Sequence, residues 1–192
     1  MIQTENFEKV EVRNAGELRQ WLEGHHGRSE SVWLVTYKKS EPDRYVSTSE
    51  VLDELICFGW IDGIRRKLDD TRTMQLISPR KVEHWAKTYK DRAAKLIREG
   101  KMQEAGYRSI ELSKQSGLWD FMDDVDQLII PKVLQEELEK NEEAAAFFYA
   151  INPSSKRFVL RWIKLAKTDS TRNKRIQEIA ALSAIGEKLK GS

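Results

Sequence analysis

Two short segments of the chain carry residue types that could bind a ligand together. The segment CFGWIDG supplies Trp60 and Asp62, and the segment SPRKVEHW supplies Arg80 and Trp85. If a hairpin joins them, an acid, a base and two indole rings meet at one end of a sheet. Such a pocket could bind a ligand by stacking and by a charge-assisted hydrogen bond. The alternative is a structural Asp62–Arg80 pair that fixes the hairpin to the next helix, because a half-buried carboxylate has to be paired.

A second group of candidate residues is basic and lies near the end of the chain. Its side chains could contact phosphates, and they are Lys156, Arg157, Arg161, Lys164, Lys167, Arg172, Lys174 and Arg175. In nucleic-acid binders the neighbouring aromatic rings must be exposed so that bases can stack on them. Here Phe158, Trp162 and Leu165 recur at a spacing typical of a helix core. The pattern therefore favours packed helices with solvated charges over a nucleic-acid site.

The other residues capable of chemistry carry little functional signal. His25 and His26 follow a predicted helix end, without the further ligands that a metal site needs. Cys57 falls in an apolar helix pattern, where a thiol is usually inert, and a single cysteine cannot form an intramolecular disulfide. The sequence shows no phosphate loop, dinucleotide fingerprint or zinc motif. We therefore expect no cofactor and no metal, and an enzyme is not favoured.

The first part of the chain is predicted to fold around a small sheet. Asn14 can cap a first helix, and Ser47 with Glu50 forms a capping box for a second. Between these helices, the segment SVWLVTYKK is typical of a buried strand. From Trp60 the apolar period changes to two, which predicts a hairpin with Trp60 and Ile64 on one face. The sheet should be mostly antiparallel, with the helices covering one of its faces.

After the hairpin, apolar residues recur at helical spacing to the end of the chain. Rear helices are predicted to begin at Asn141, at Asn152 and near Asp169. The acidic stretch LWDFMDDVDQLII lacks a clear period, and it marks the junction with this helical part. We therefore predict an α+β fold, with an α+β front domain over residues 1–117. The junction and an all-helical rear domain, packed on the front one, occupy residues 118–192.

Length and composition exclude several classes of protein. The chain has 192 residues, 40% of them apolar, with 33 Lys and Arg against 31 Asp and Glu, so it can bury a sizeable core. It shows no signal peptide and no apolar run long enough to span a membrane, and we expect a cytoplasmic protein. The charge is unevenly distributed, because residues 153–192 carry ten Lys and Arg but three Asp and Glu. The pI of about 8.5 is low for a nucleic-acid-binding domain.

Five motifs follow one another along nearly the whole chain. They are CFGWIDG, SPRKVEHW, LIREGKM, SGLW and FVLRWIKLAKTDSTRNKRIQEI. In this order they resemble the YdeI/OmpD-associated family, often described as bacteriocin-protection proteins. The resemblance implies an α+β front domain, a helical rear domain and a role in tolerance of antimicrobial peptides or bacteriocins. It also implies association with an outer-membrane porin, and it brings no catalytic residues.

The candidate binding residues are those that match these motifs and also have suitable chemistry. They are Trp60, Asp62, Arg80, Trp85, Lys167, Arg172 and Arg175. The leading hypothesis is a non-enzymatic stress or bacteriocin-tolerance protein that binds a small ligand or a protein partner. The first alternative is an enzyme of unrecognised type that uses Asp62 as acid or base, oriented by Arg80. The second is a nucleic-acid-associated protein that uses the basic rear helices, and a purely structural role stays open for every candidate.

Overall fold

A computed structural model describes residues 6–191 of the chain. These residues divide into two units, with the boundary between Asp120 and Phe121. The front unit contains a sheet and helices, whereas the rear unit consists of helices. The α+β fold class predicted from the sequence is confirmed. Residues 118–120, which the sequence analysis placed with the rear domain, lie in the front unit.

The sheet of the front unit has four strands in the order β1-β2-β4-β3. Their bounds are β1 Lys9–Glu11, β2 Val32–Tyr37, β3 Trp60–Lys67 and β4 Arg72–Pro79. The predicted hairpin is present as β3 and β4, and β2 pairs antiparallel with β4. Every residue of β2 is buried, as expected for a strand covered on both faces. The first strand, β1, was not predicted, and it pairs parallel with β2.

The helices of the front unit begin largely where their capping residues predict. Their bounds are α1 Ala15–His25, α2 Thr48–Cys57, α3 Lys87–Arg98 and α4 Glu104–Gln115. The side chain of Asn14 accepts a hydrogen bond from the Glu17 backbone and so caps α1. Ser47 and Glu50 form the predicted capping box of α2. Leu18, Leu22, Val51 and Leu55 on these two helices are buried in the front core.

The predicted alternation along β3 fails at its centre. Asp62 lies opposite Ile77 but Arg65 lies opposite Gln75, so β3 has one more residue than β4 in this interval. This is a β-bulge, which breaks the period of two. The Ile64 side chain is consequently 50% exposed, although we expected it beside the buried Trp60. The bulge depends on pairing with β4, so the pattern along β3 does not reveal it.

Two glycines allow α4 to pack directly on the backbone at the end of α2. A Cβ on Gly106 would overlap the carbonyl oxygen of Cys57 and the sulfur of Met102. A Cβ on Gly59 would lie 2.8 Å from the Ala105 carbonyl oxygen, and Gly59 also has φ of +69°. Only glycine satisfies both the space and the left-handed backbone there. The two glycines therefore fix the position of α4 against the start of β3.

The rear unit contains five helices within the part of the chain that the structure describes. Their bounds are α5 Asp123–Asp126, α6 Lys132–Leu138, α7 Glu142–Ala150, α8 Pro153–Lys164 and α9 Asp169–Ala184. Asn141 caps α7 and Asn152 caps α8 through their side-chain oxygens, as predicted. Thr168 caps α9 in the same way. Among residues 6–191, no helix is both long and apolar enough to cross a membrane.

The core-facing side of α8 differs from the prediction. Phe158 and Leu165, which we assigned to the core, are 41% and 42% exposed, and Trp162 is half-buried. The buried face is formed instead by Ser155, Val159, Leu160 and Ile163. Both sets recur at helical spacing, so α8 presents two apolar stripes. Packing against the other rear helices decides which stripe is buried.

Candidate functional site

Asp62 is held by partners inside the front unit. Tyr89 donates its hydroxyl proton to Asp62 Oδ1 at 2.5 Å, and the Gln75 amide donates to Oδ2 at 3.1 Å. The Gln75 oxygen in turn accepts from Arg65 at 2.7 Å. Burial and the Asp62 carboxylate raise the pKa of Tyr89 to about 12, so Tyr89 remains a donor at neutral pH. Asp62 thus joins β3 to β4 and to α3.

Arg80 is not the partner of Asp62. Among the described residues no ion pair joins them, and the Arg80 guanidinium lies 4.0 Å from the centre of the Trp85 ring. Its Nη2 donates to the His84 carbonyl oxygen at 3.1 Å and lies 3.8 Å from a Glu83 carboxylate oxygen. The predicted Asp62–Arg80 pair is therefore wrong, because Tyr89 and Gln75 occupy the carboxylate and Arg80 stacks on an indole ring.

The two tryptophans of the front motifs are core residues. Trp60 and Trp85 are both 1% exposed. The Trp60 indole nitrogen donates to the His26 carbonyl oxygen at 3.1 Å, and that of Trp85 donates to the Ser113 hydroxyl at 2.9 Å. Each buried ring thereby satisfies its one polar atom. Trp60, Asp62 and Trp85 consequently have internal partners, and both indole rings are covered by protein.

The rear unit contains a cleft of about 770 Å³, which we call the rear cleft. Its apolar wall includes Phe121, Val125, Ile129, Pro131, Val133, Leu160, Ile163 and Ile176. Two ion pairs lie among its lining residues. Lys164 is 2.5 Å from Asp124, and Arg172 is 2.7 Å from Asp169. An apolar interior with few charged groups is typical of a binding cleft.

The rear candidate residues divide between this cleft and other places. Arg172 lines the rear cleft, but Lys167 and Arg175 are not among its lining residues. Arg175 lies over the Trp162 ring at 4.8 Å and donates to the Trp162 carbonyl oxygen. It therefore links α9 to α8. Lys167 is exposed in the connection between these helices.

Sequence reasoning did not select the apolar residues at the mouth of the rear cleft. Ile129 and Val133 lie on either side of Pro131, and each is 56% exposed. Such exposure of two large aliphatic side chains so close in sequence is unusual. Leu128, just before them, has φ of +60°, a strained conformation for a non-glycine residue. This turn ends α5, with the Ile129 N–H donating to the Asp124 carbonyl oxygen at 2.8 Å. The only sequence signal was the apolar excess of the acidic junction.

Cys57 and the histidines do not form a reactive cluster. The Cys57 thiol is buried, and burial raises its pKa to about 11. His25 and His26 each place a ring nitrogen against a carbonyl oxygen of the last turn of α1. Among residues 6–191, no group of three or more His, Cys, Asp or Glu side chains could hold a metal ion.

Comparison with known proteins identifies the class to which each unit belongs. A family model described as a domain of unknown function (DUF8412) matches residues 10–109, more than half of the chain. A second model, described as "Bacteriocin-protection, YdeI or OmpD-Associated", matches residues 127–186. The chain belongs to the DUF8412 family, and the match of its rear unit to the YdeI/OmpD-associated model supports the resemblance inferred from the motifs. No curated protein and no solved structure matches the chain.

The matched ranges also assign the motifs to separate models. The motif that includes Trp162, Arg172 and Arg175 lies within the YdeI/OmpD-associated match. The front motifs with Trp60, Asp62, Arg80 and Trp85 lie within the DUF8412 match. The rear cleft is formed mainly by residues of the YdeI/OmpD-associated match, together with Phe121, Asp124 and Val125 just before it.

Proposed function

We propose that this protein is a non-enzymatic binding protein that contributes to stress or bacteriocin tolerance. Its binding site is the rear cleft, and its ligand is an apolar segment of a protein partner with acidic residues on its flanks. The observation that carries the proposal is the open apolar cleft of about 770 Å³ in the unit that matches the bacteriocin-protection family. Clefts of roughly 300–1,000 Å³ are typical of ligand sites.

The exposed aliphatic side chains at the cleft explain why the ligand should be apolar. Ile129 and Val133 are more than half exposed, and they continue the wall made by Leu160 and Ile163. Covering them would remove apolar surface from water, at about 25 cal/mol per Å². Side chains of this kind act as anchors when a partner covers them.

The excess of basic residues near the end of the chain supports a ligand with acidic flanks. The segment from Pro153 to the end of the chain has ten Lys and Arg but three Asp and Glu, and it includes both α8 and α9. Lys164 and Arg172 on these helices line the rear cleft, each already beside one carboxylate. Acidic flanks of the ligand would meet exposed cations of this segment outside the cleft, such as Arg161 and Lys167, and this complementarity favours association and orientation.

The enzymatic alternative receives no support from the geometry at Asp62. A general acid or base needs a carboxyl group that can reach a substrate proton. Both oxygens of Asp62 accept hydrogen bonds from Tyr89 and Gln75, and Arg80 does not orient the group. These contacts support a structural role for Asp62.

One observation favours the nucleic-acid alternative, and another argues against it. Phe158 is exposed beside basic residues of α8, so one aromatic ring is available for stacking. However, Lys156 donates to the Tyr149 carbonyl oxygen at 2.8 Å, and Arg157 donates to that of Asp126 at 3.3 Å. These two cations are thus held against the rear unit, which reduces their reach toward a phosphate backbone.

The binding proposal is tested with a fluorescent amphipathic peptide that carries Leu and Phe side chains between acidic residues. We expect saturable binding to the full chain by fluorescence anisotropy. Val133→Asp and Ile129→Asp should each weaken binding about tenfold, because a carboxylate at an apolar anchor is desolvated without a partner. Ile185→Asp is the matched control, since Ile185 is 68% exposed in the same unit and outside the cleft.

Two results would overturn the binding proposal. One is the absence of saturable binding below about 1 mM; the other is equal loss of affinity in all three variants. A single-stranded oligonucleotide in the same assay tests the nucleic-acid alternative. Tight binding that falls steeply with salt, and that is insensitive to Val133→Asp, would favour it.

The physiological role needs a separate measurement. Cells that lack the protein should survive bacteriocin treatment less well, and the wild-type chain should restore survival. The Val133→Asp chain should fail to do so at equal abundance, whereas Ile185→Asp should restore it. If the Val133→Asp chain restored survival, bacteriocin tolerance would not depend on the rear cleft.

A further inference from the structure

An open groove of about 640 Å³ lies along α4 in the front unit. We call it the α4 groove, and its lining includes Ile97 of α3 together with Glu104, Tyr107, Arg108, Glu111 and Lys114 of α4. Tyr107 is 47% exposed and Ile97 is 38% exposed. The groove therefore leaves two large side chains uncovered, and the proposed function of the rear cleft gives them no role.

Four charged side chains of the α4 groove are exposed, and within residues 6–191 none of them forms an ion pair. They are Glu104, Arg108, Glu111 and Lys114. Glu111 accepts a hydrogen bond from the Gln115 amide at 3.0 Å. The Lys114 ammonium group lies 5.5 Å from the centre of the Trp119 ring. Because two acids and two bases give the groove no net charge, its charges can be complemented by a surface that is also of mixed charge.

The charges alternate along α4 in an order that a second copy of the helix would complement. From Glu104 to Lys114 they are negative, positive, negative and positive. A two-fold axis level with Ser109 would place a second α4 antiparallel to the first, in the self-complementary geometry that dimers most often use. Glu104 then lies level with Lys114 of the second copy. Arg108 lies within one residue, about 1.5 Å, of the level of Glu111, so each acid has a base of the other copy beside it.

The four charged positions also share one side of α4. They are spaced four, three and three residues apart, and a helix of 3.6 residues per turn places such positions within about a third of its circumference. Within one chain, ten residues separate Glu104 from Lys114, which is about 15 Å along the helix axis. An ion pair between these two positions therefore requires two chains.

We propose that the α4 groove is a two-fold symmetric interface between two copies of this chain. In this interface α4 packs antiparallel on α4 of the second copy, and every charged residue of the groove lies beside an opposite charge. Tyr107 and Ile97 supply its apolar surface. The 12 residues of α4 span about 18 Å, so the contact is smaller than the roughly 800 Å² per partner of a typical stable interface. We therefore expect a reversible dimer with a Kd of about 10–100 µM.

Sedimentation of the full-length protein tests the proposal at concentrations from about 1 to 500 µM. We expect the measured mass to rise from that of the 22.4 kDa chain toward twice that value. Glu104→Lys places two pairs of like charges at the interface, and so does Lys114→Glu. Each variant alone should raise the Kd at least about tenfold, because like charges brought together are costly. Both residues are exposed, and circular dichroism checks that the variants stay folded.

A mixture of the two variants provides the strictest check. When Glu104→Lys meets Lys114→Glu, both outer pairs again join opposite charges, so the mixed dimer should form with wild-type affinity. The double variant should form a homodimer for the same reason. Pairing of neighbouring charges within α4, and their interaction with the helix dipole, act inside one chain, so mixing cannot restore them. Glu178→Lys is the matched control and should dimerise like the wild type, because Glu178 is an exposed helical glutamate of the rear unit outside the α4 groove.

Three outcomes overturn the proposal. The first is a wild-type chain that stays monomeric up to about 500 µM. The second is dimerisation that Glu104→Lys and Lys114→Glu leave unchanged, which would place the contact elsewhere. The third is a mixture of these two variants that stays monomeric although the wild type dimerises. None of these outcomes affects the peptide test of the rear cleft, which uses another ligand and other variants.

Discussion

The Asp62 region of the front unit and the rear cleft combine the same types of residue in opposite ways. Around Asp62, the carboxylate accepts from Tyr89 and Gln75, and the neighbouring tryptophans are covered. In the rear cleft, by contrast, Ile129 and Val133 are exposed beside charged residues. Aromatic or aliphatic residues next to charges therefore form a brace in one unit and an open surface in the other.

The comparison teaches which property separates a brace from a site. Composition does not, because both regions mix charged and apolar side chains. The deciding property is whether each polar group has a partner and each large apolar group has cover within the chain. By this criterion Arg80 is exceptional, since it belongs to the braced region but keeps two unused donors.

The largest expected effect concerns the packing of α4 in the front unit. Gly106→Ala should lower the free energy of unfolding by about 3 kcal/mol, because the new methyl group overlaps the Cys57 backbone and overpacking is costly. Chemical denaturation of the purified protein measures it. Gly24→Ala is the control: its Cβ meets nothing within 4 Å in α1, so stability should rise slightly. Equal stability of Gly106→Ala and the wild type would show that α4 is loosely placed.

A somewhat smaller effect is expected when the brace itself is removed. Asp62→Ala should cost about 2 kcal/mol of unfolding free energy, because the Tyr89 hydroxyl and the Gln75 amide lose their acceptor. Thermal and chemical unfolding measure the loss, with the exposed Asp43→Ala as a near-neutral control. If Asp62→Ala kept its stability but lost binding of a ligand, the region would be a site rather than a brace.

The brace also predicts a pH dependence at alkaline pH. Burial and Asp62 raise the Tyr89 pKa to about 12, above the value of about 10 for a free tyrosine. The unfolded chain therefore loses this proton first. The stabilisation is complete below about pH 10 and is lost as the pH rises toward 12. In the ultraviolet titration of the five tyrosines, one should ionise late, and Tyr89→Phe should remove that step.

The smallest effect is expected at the mouth of the rear cleft. Val133→Asp and Ile129→Asp should change the free energy of unfolding by less than about 0.5 kcal/mol, because both side chains are mostly exposed. The same denaturation assay measures this. A loss of several kcal/mol would mean that these residues are covered in solution, and the contrast between the two regions would disappear.

Local signals in the sequence predicted most of the fold. Asn14, Ser47, Asn141 and Asn152 begin helices as predicted, because a cap acts through hydrogen bonds to the next three residues. The buried strand β2 and the hairpin were also predicted, since their apolar runs and turn are continuous in sequence. The front motifs were identified, but their roles were only partly predicted, as Arg80 shows.

The sequence by itself determined the α+β class, the helix starts and the family resemblance, because these depend on neighbours along the chain. Tertiary structure decided which stripe of α8 is buried, where the bulge turns Ile64 outward and which side chains pair with Asp62. It also left the rear cleft uncovered and Arg80 with unused donors. Such outcomes depend on contacts between residues far apart in the chain, and a local pattern allows more than one of them.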